Sequence, residues 1–216
     1  MNWVELRMNL KDFDAFVFDL DGTLIDSGRY HAQAFSDAVL EQSGYRLTLG
    51  ERDEFFASHS VPFARVLNDR HDLQLVPERV LKQKRRRMKA IFQINLFEGA
   101  RAFLEKWRGI KPLGLATNSP LSFVAPALED VGLSGFFDSL TTSDEVRNRK
   151  PDPEMVQLAF QKLKANPLRS LVFEDQLIGI EAARLAGAQV VAVNNGQPVE
   201  FPKGVSVMTW KELLRR

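Results

Sequence analysis

Four short stretches of this chain carry residue types that do chemistry. Asp19 and Asp21 close the apolar run in "FVFDLDGTL". Thr117, Asn118 and Ser119 close "LGLATNS", Glu174 and Asp175 close "LVFED", and Lys150 sits in the turn-rich "RNRKPDPE". Together they offer carboxylates, a hydroxyl, an amide and a cation, a set suited to handling a phosphate. A lone D-x-D is common by chance. The set acquires meaning only if the fold brings the four stretches to one place.

The elements predicted around them do so. Ala15 to Asp19 reads as a short buried strand by length and composition. From Ala100 the chain alternates: helix Ala100–Trp107, strand Leu113–Thr117, helix Ser122–Val131 with Gly132 just past its end, strand Phe136–Thr141 and helix Glu154–Leu163. Strand Ser170–Glu174, helix Ile178–Ala186, strand Val190–Val193, strand Val205–Met208 and helix Trp210–Leu214 follow. Such alternation implies an α/β fold with a doubly wound parallel sheet. Ligands of these sheets bind beyond the carboxyl ends of the strands, where the "FDLD", "ATNS" and "FED" ends fall.

Arg29 to about Asn95 is different and reads as helices. Tyr30–Gln42 is amphipathic and ends at Gly44, and Glu51–Ser58 is shorter. A third is capped by Ser60 with Phe63, Val66 and Leu67 inward, and Pro77 opens a fourth. The expected organisation is a Rossmann-like core of residues 1–27 and 96–216 with a helical insertion of residues 28–95.

On "FDLDGTL", "LATNS", "RKPDPE" and "FEDQLIGIEAARLAGA", in that order and across nearly the whole chain, the sequence resembles the haloacid dehalogenase-like hydrolase superfamily. Within it, the chain is similar to the phosphatase and β-phosphoglucomutase branch, which carries a helical cap after the first motif. The resemblance implies that Asp19 is a nucleophile that attacks phosphorus and forms an aspartyl-phosphate, later hydrolysed by water. A carboxylate attacking a phosphate needs a cation, so Mg²⁺ is the expected cofactor. Asp19, the backbone carbonyl of Asp21, Glu174 and Asp175 are its expected oxygen ligands. Asp21 would protonate the leaving alkoxide and then take a proton from water, with Gly22 turning the chain tightly so that Asp21 reaches the site. The family's dehalogenases lack an acid at that second position, so Asp21 favours phosphate chemistry over dehalogenation. Thr117 and the amides around Asn118 suit the phosphoryl oxygens, and Lys150 would neutralise charge between phosphate and Asp19. Gln176 stands where the family often has serine, a change expected to act locally without loss of metal.

The insertion offers weaker signals. His59, in "ASHSVP", lies in a predicted loop of the kind that faces the core site in capped relatives, and is a candidate substrate contact. In "KQKRRRMK" a helical projection puts Leu81, Met88 and Phe92 on one side with Arg85 inside that stripe. An arginine there needs an anion, either an internal acid or the substrate. The remaining charges of the run read as a solvated helix. His31 reads as a cap-hinge residue or as an ordinary helix residue. Tyr45, Trp107 and Trp210 read as packing.

Composition removes other classes. Lys and Arg total 29 against 28 Asp and Glu, which gives no bulk attraction for nucleic acid or membrane. No cysteine is present, so disulfides, thiolate catalysis and Cys-based zinc sites are excluded. No apolar run approaches the roughly 20 residues of a membrane span, and the first residues lack a signal-peptide core. The expectation is a cytoplasmic protein, a monomer or weak homodimer, acting on a small soluble phosphoester. A phosphatase is favoured, with a phosphosugar mutase as the alternative and a non-catalytic phosphoester-binding protein behind both.

Overall fold

The computed structural model describes residues 8–56, 60–91, 93–196 and 199–216. Its strands are β1 (Ala15–Phe18), β2 (Leu113–Ala116), β3 (Ser139–Thr141), β4 (Ser170–Glu174), β5 (Gln189–Val193) and β6 (Ser206–Met208). Its helices are α1 (Gly28–Ser43), α2 (Leu49–Phe56), α3 (Ser60–His71), α4 (Pro77–Ile91), α5 (Ala100–Trp107), α6 (Leu121–Asp130), α7 (Glu154–Leu163), α8 (Leu177–Leu185) and α9 (Trp210–Leu214). The chain divides into two compact units. One holds Met1–Leu24, Leu96–Asn195 and Phe201–Arg216, and the other Ile25–Asn95 and Gly196–Glu200. The expected core of residues 1–27 and 96–216 includes Ile25–Ser27 and Gly196–Glu200, both of which fall in the second unit.

In the first unit, strands buried along their whole length (β1, β2 and β4) form the centre of the sheet, as parallel sheets covered on both faces require. The order is β3-β2-β1-β4-β5-β6, with every neighbouring pair parallel. The connection reverses direction at β1, between β2 and β4, which is where such sheets bind ligands. Strand alternation sorts the core. Phe16 and Phe18 share an aromatic layer with Phe103, Phe173 and Trp210, in which Phe18 stacks on Phe173 at 4.8 Å. Val17 and Val172 instead join Val156, Phe160, Ala182 and Ala183 from α7 and α8. Each such aromatic contributes roughly 1.5–3 kcal/mol by burial alone. No helix among the described residues is long and apolar enough to cross a membrane.

The second unit is held by an aromatic stack of Phe35, Phe55 and Phe63, in which Phe35 and Phe55 lie 4.3 Å apart. Two inward assignments change here. Ala64, not Val66, joins Phe63 and Leu67 in the core, and Val66 is exposed. In α4 the buried positions are Val80 and Gln83, with Gln83 accepting a hydrogen bond from Gln42 Nε2 at 2.7 Å. The inward face is therefore turned by about one residue from the Leu81–Met88 stripe, because α4 meets α1 through Gln83. Leu81 and Met88 are half-buried, and Arg85 is exposed. Arg85 is not an arginine trapped in an apolar stripe. Its neighbour Arg86 pairs with Glu41 at 3.1 Å.

A polar knot fastens α2 to α3. The buried Glu51 carboxylate accepts from Thr48 N–H (2.9 Å), the Thr48 hydroxyl (3.0 Å), the Tyr45 hydroxyl (3.1 Å) and His71 Nε2 (2.6 Å). Burial pushes Glu51 up, but the Thr48 amide, His71, the Thr48 hydroxyl and Tyr45 outweigh it and hold the group down at about 2, against an ordinary 4.5. A lowered carboxylate value stabilises the folded state fully above the unfolded value and loses that effect as pH falls towards the folded one. We therefore expect Glu51→Gln to cost roughly 3 kcal/mol at pH 7. The gap from wild type should close between about pH 4.5 and pH 2. Urea unfolding of both proteins across that range checks this, and a gap independent of pH would contradict it.

Candidate active site

The first unit brings the predicted stretches together at one sheet edge. Asp19 follows β1 directly, and its N–H donates to Phe173 O at 3.0 Å, so the β1–β4 ladder runs on to the carboxylate. Lys150 arrives in the loop before α7. Its ammonium, buried with its side chain 2% exposed, donates to Asp19 Oδ1 (2.8 Å), Glu174 Oε1 (2.7 Å) and Ala116 O (2.7 Å). Burial alone would push Lys150 down, but the Asp19 and Glu174 carboxylates more than reverse it and keep the ammonium charged.

The carboxylates are crowded. Asp19, Glu174 and Asp175 are all buried and can each offer an oxygen within 4.8 Å of the others. Burial first, then neighbouring Glu174, raises Asp175 well above its ordinary value. Asp19 is raised to about 8, chiefly by burial, with Glu174 and Asp21 adding to it and Lys150 opposing. Asp175 Oδ1 accepts from the Thr23 hydroxyl at 2.7 Å, whereas Oδ2 is buried with no partner. Asp21 shows the same asymmetry. Oδ2 accepts from Ser119 Oγ at 2.6 Å, and Oδ1 is buried and unpartnered. One lysine does not balance these acids, and an unpaired buried carboxylate oxygen is costly. An all-oxygen donor set with excess negative charge fits a hard divalent cation such as Mg²⁺.

Each strand end is fastened for a reason. Glu174 Oε2 accepts from the N–H groups of Asp175 (2.9 Å) and Gln176 (3.0 Å), which folds the carboxylate back over the start of α8 while Oε1 holds Lys150. Gln176 contributes its backbone here, so glutamine in place of serine leaves that contact intact. Asn118 Oδ1 accepts from Lys150 N–H at 3.0 Å, so its side chain steadies the lysine loop. Thr117 is buried, and its Oγ1 accepts from Ser119 N–H at 3.2 Å, which leaves the hydroxyl proton to donate elsewhere. His59 lies outside the described residues.

The sequence places Ser119 at a strand end without a role for it, and marks neither Thr23 nor Gly179. The first two lie within the motifs and differ from ordinary turn residues only through partners distant in sequence. Gly179 lies on α8 in a stretch of small residues whose sequence alone suggests only helix packing. A Cβ there would stand 1.7 Å from Glu174 Oε1. Helix propensity favours Ala over Gly by about 1 kcal/mol, but here the methyl group displaces the carboxylate that anchors Lys150. We expect Gly179→Ala to lower kcat about a hundredfold or more, with helix content unchanged by circular dichroism. Wild-type kcat would contradict the close approach.

A doubly wound parallel sheet with buried acids and a buried lysine at its carboxyl edge makes this an α/β protein whose site is built to handle an anion together with a cation. A family model described as haloacid dehalogenase-like hydrolase matches residues 13–187, and the chain belongs to that family. It is an enzyme of the family's phosphatase kind. The phosphorylated carbohydrates phosphatase of Thermotoga maritima is 30% identical over 93% of this chain and 96% of its own length. The fructose-1-phosphate phosphatase of Escherichia coli is 26% identical over 84% of this chain and 96% of its own. A family hydrolase from Deinococcus radiodurans, solved with bound phosphate and sodium, superposes with a TM-score of 0.78 at 26% identity, covering 94% of each chain.

Proposed function

We propose that this enzyme is a Mg²⁺-dependent phosphatase of small soluble phosphomonoesters of the phosphorylated-sugar type, working through an aspartyl-phosphate. The observation that carries the reading is Lys150 bridging Asp19 and Glu174 beside Asp21, whose Oδ1 is buried and free. The names of the two phosphatase relatives support the substrate class.

Lys150 occupies Asp19 Oδ1, so attack on phosphorus falls to Oδ2. As the O–P bond forms, the bond from phosphorus to the substrate oxygen breaks, and Asp21 gives that oxygen its proton from Oδ1. The Thr117 hydroxyl and the Asn118 N–H after β2 receive the phosphoryl oxygens, and Lys150 offsets their charge. Water then attacks the phosphorus of the acyl phosphate, Asp21 takes the water's proton, and the Asp19 carboxylate is restored as inorganic phosphate leaves. Asp19, the Asp21 carbonyl and Asp175 would hold Mg²⁺, with Glu174 beside them. When bound, the ion supplies positive charge that keeps Asp19 ionised and draws the phosphate to it.

A panel of phosphorylated sugars and other metabolites, assayed with Mg²⁺ and with excess chelator, tests the reading. Phosphate release that chelator abolishes is the expected result. Interconversion of hexose 1- and 6-phosphates faster than phosphate release would replace it with a mutase. Silence across the panel would favour a binding protein.

A further inference from the structure

The loop that follows Asp19 is held from a part of the chain outside all four motifs. After Asp21 the backbone turns at Gly22, whose φ is +86°. A Cβ at Gly22 would lie 2.1 Å from Asp175 Oδ2, so the turn rests directly on that carboxylate. Thr23 then bonds Asp175 Oδ1 through its hydroxyl. This loop presents two successive carbonyls, and one side chain meets both. Asn195 Nδ2 donates to Gly22 O (2.8 Å) and Thr23 O (3.2 Å). Both facing atoms are acceptors, so the amide must present its NH₂ group, and a two-hydrogen donor is needed to bridge them. Trp210 Nε1 adds a third bond, to Thr23 O at 3.0 Å.

Asn195 reaches the loop because β5 ends at the same sheet edge as β1 and β4. Asn194 N–H still pairs with Met208 O at 3.0 Å, and the next residue is the first beyond that pairing. Locking the Gly22 and Thr23 carbonyls fixes the two peptide planes after Gly22, so the Asp21 carbonyl in the preceding plane is left only the rotation about Gly22. It also fixes the Thr23 hydroxyl against Asp175. We infer that Asn195 is a positioning residue for the cation site: its amide clamps the Gly22–Thr23 turn and so sets two of the oxygen donors, the Asp21 carbonyl and the Asp175 carboxylate. The inference rests on the Mg²⁺ reading above. Partners of this kind typically change metal affinity by about 10–100-fold when removed.

The test measures Mg²⁺ binding itself, by calorimetry and by the rise in Tm on adding Mg²⁺, in wild type, Asn195→Ala and Asn195→Asp. The Asp variant keeps the side chain's shape and removes its donors, so it serves if the Ala variant folds poorly. The expected result is a Mg²⁺ dissociation constant weakened about tenfold or more in both variants. The Tm in chelator should stay close to wild type. Unchanged affinity with a lowered metal-free Tm would overturn the inference and leave Asn195 as a structural bond only. Absence of Mg²⁺ binding by the wild type would instead overturn the metal reading, and the inference with it.

Discussion

Replacing Asp19 with Asn is expected to abolish turnover while leaving the fold intact. An amide has the carboxylate's shape but is no nucleophile towards phosphorus, so kcat should fall on the order of 10⁴-fold or more. Stability should move the other way or not at all. Burial, with Glu174 and Asp21 nearby, raises Asp19 to about 8 despite Lys150. Without metal, burial and the neighbouring acids therefore disfavour the negative charge there. Lys150 keeps an acceptor in the Asn amide oxygen, and one of the crowded carboxylates is gone. The urea midpoint in chelator should equal or exceed that of wild type. Labelled phosphate should be retained on the wild-type chain after rapid denaturing quench and be absent from the variant. Substantial turnover in the variant, or equal labelling of both chains, would end the covalent mechanism.

Lys150→Met is expected to damage both activity and stability, and the split between them is diagnostic. The Lys150 ammonium makes three bonds in a site where it is almost wholly covered. Methionine fills similar space but leaves Asp19 and Glu174 facing each other without a cation, at a cost of about 3–5 kcal/mol. Charge stabilisation of the transferring phosphoryl group disappears too, so kcat should fall about 10²–10³-fold. Combining Lys150→Met with Asp19→Asn should recover much of the stability, because the uncompensated carboxylate has been neutralised, but none of the activity. Such non-additivity is expected of residues in direct contact. Chemical denaturation of the four proteins measures it. Additive losses would show that Lys150 is not the counter-charge of Asp19. Arginine is not expected to rescue, because its planar fork does not match three acceptors arranged around one small ammonium.

The parallel α/β sheet was legible in the chain because short, wholly apolar runs such as "AFVF" and "LVF" alternate with helical segments, and such runs are stable only when buried on both faces. Asp19, Thr117, Lys150 and Asp175 were legible for a related reason. The first two and Asp175 sit at the ends of those runs, which the topology places at one edge, and Lys150 lies in the turn-rich loop that reaches the same edge. Helix starts and stops with local chemistry also read correctly, as with Pro77 opening α4 and Gly44, at φ +71°, closing α1.

Tertiary structure decided what depends on distant partners. The face α4 turns inward follows from Gln42 on α1 donating a hydrogen bond to Gln83, which a helical projection of α4 alone does not contain. That contact moved Arg85 from an expected apolar stripe to the surface. Gly179 looks like any small helix residue until Glu174 is found lying against it. Ser119 and Asn195 acquire their roles from Asp21 and the Gly22–Thr23 turn, 98 residues away in the first case and more than 170 in the second. Local sequence encodes periodicity, burial and turn geometry. A hydrogen bond between residues this far apart is encoded by neither partner's surroundings, and it exists only once the sheet has closed the distance.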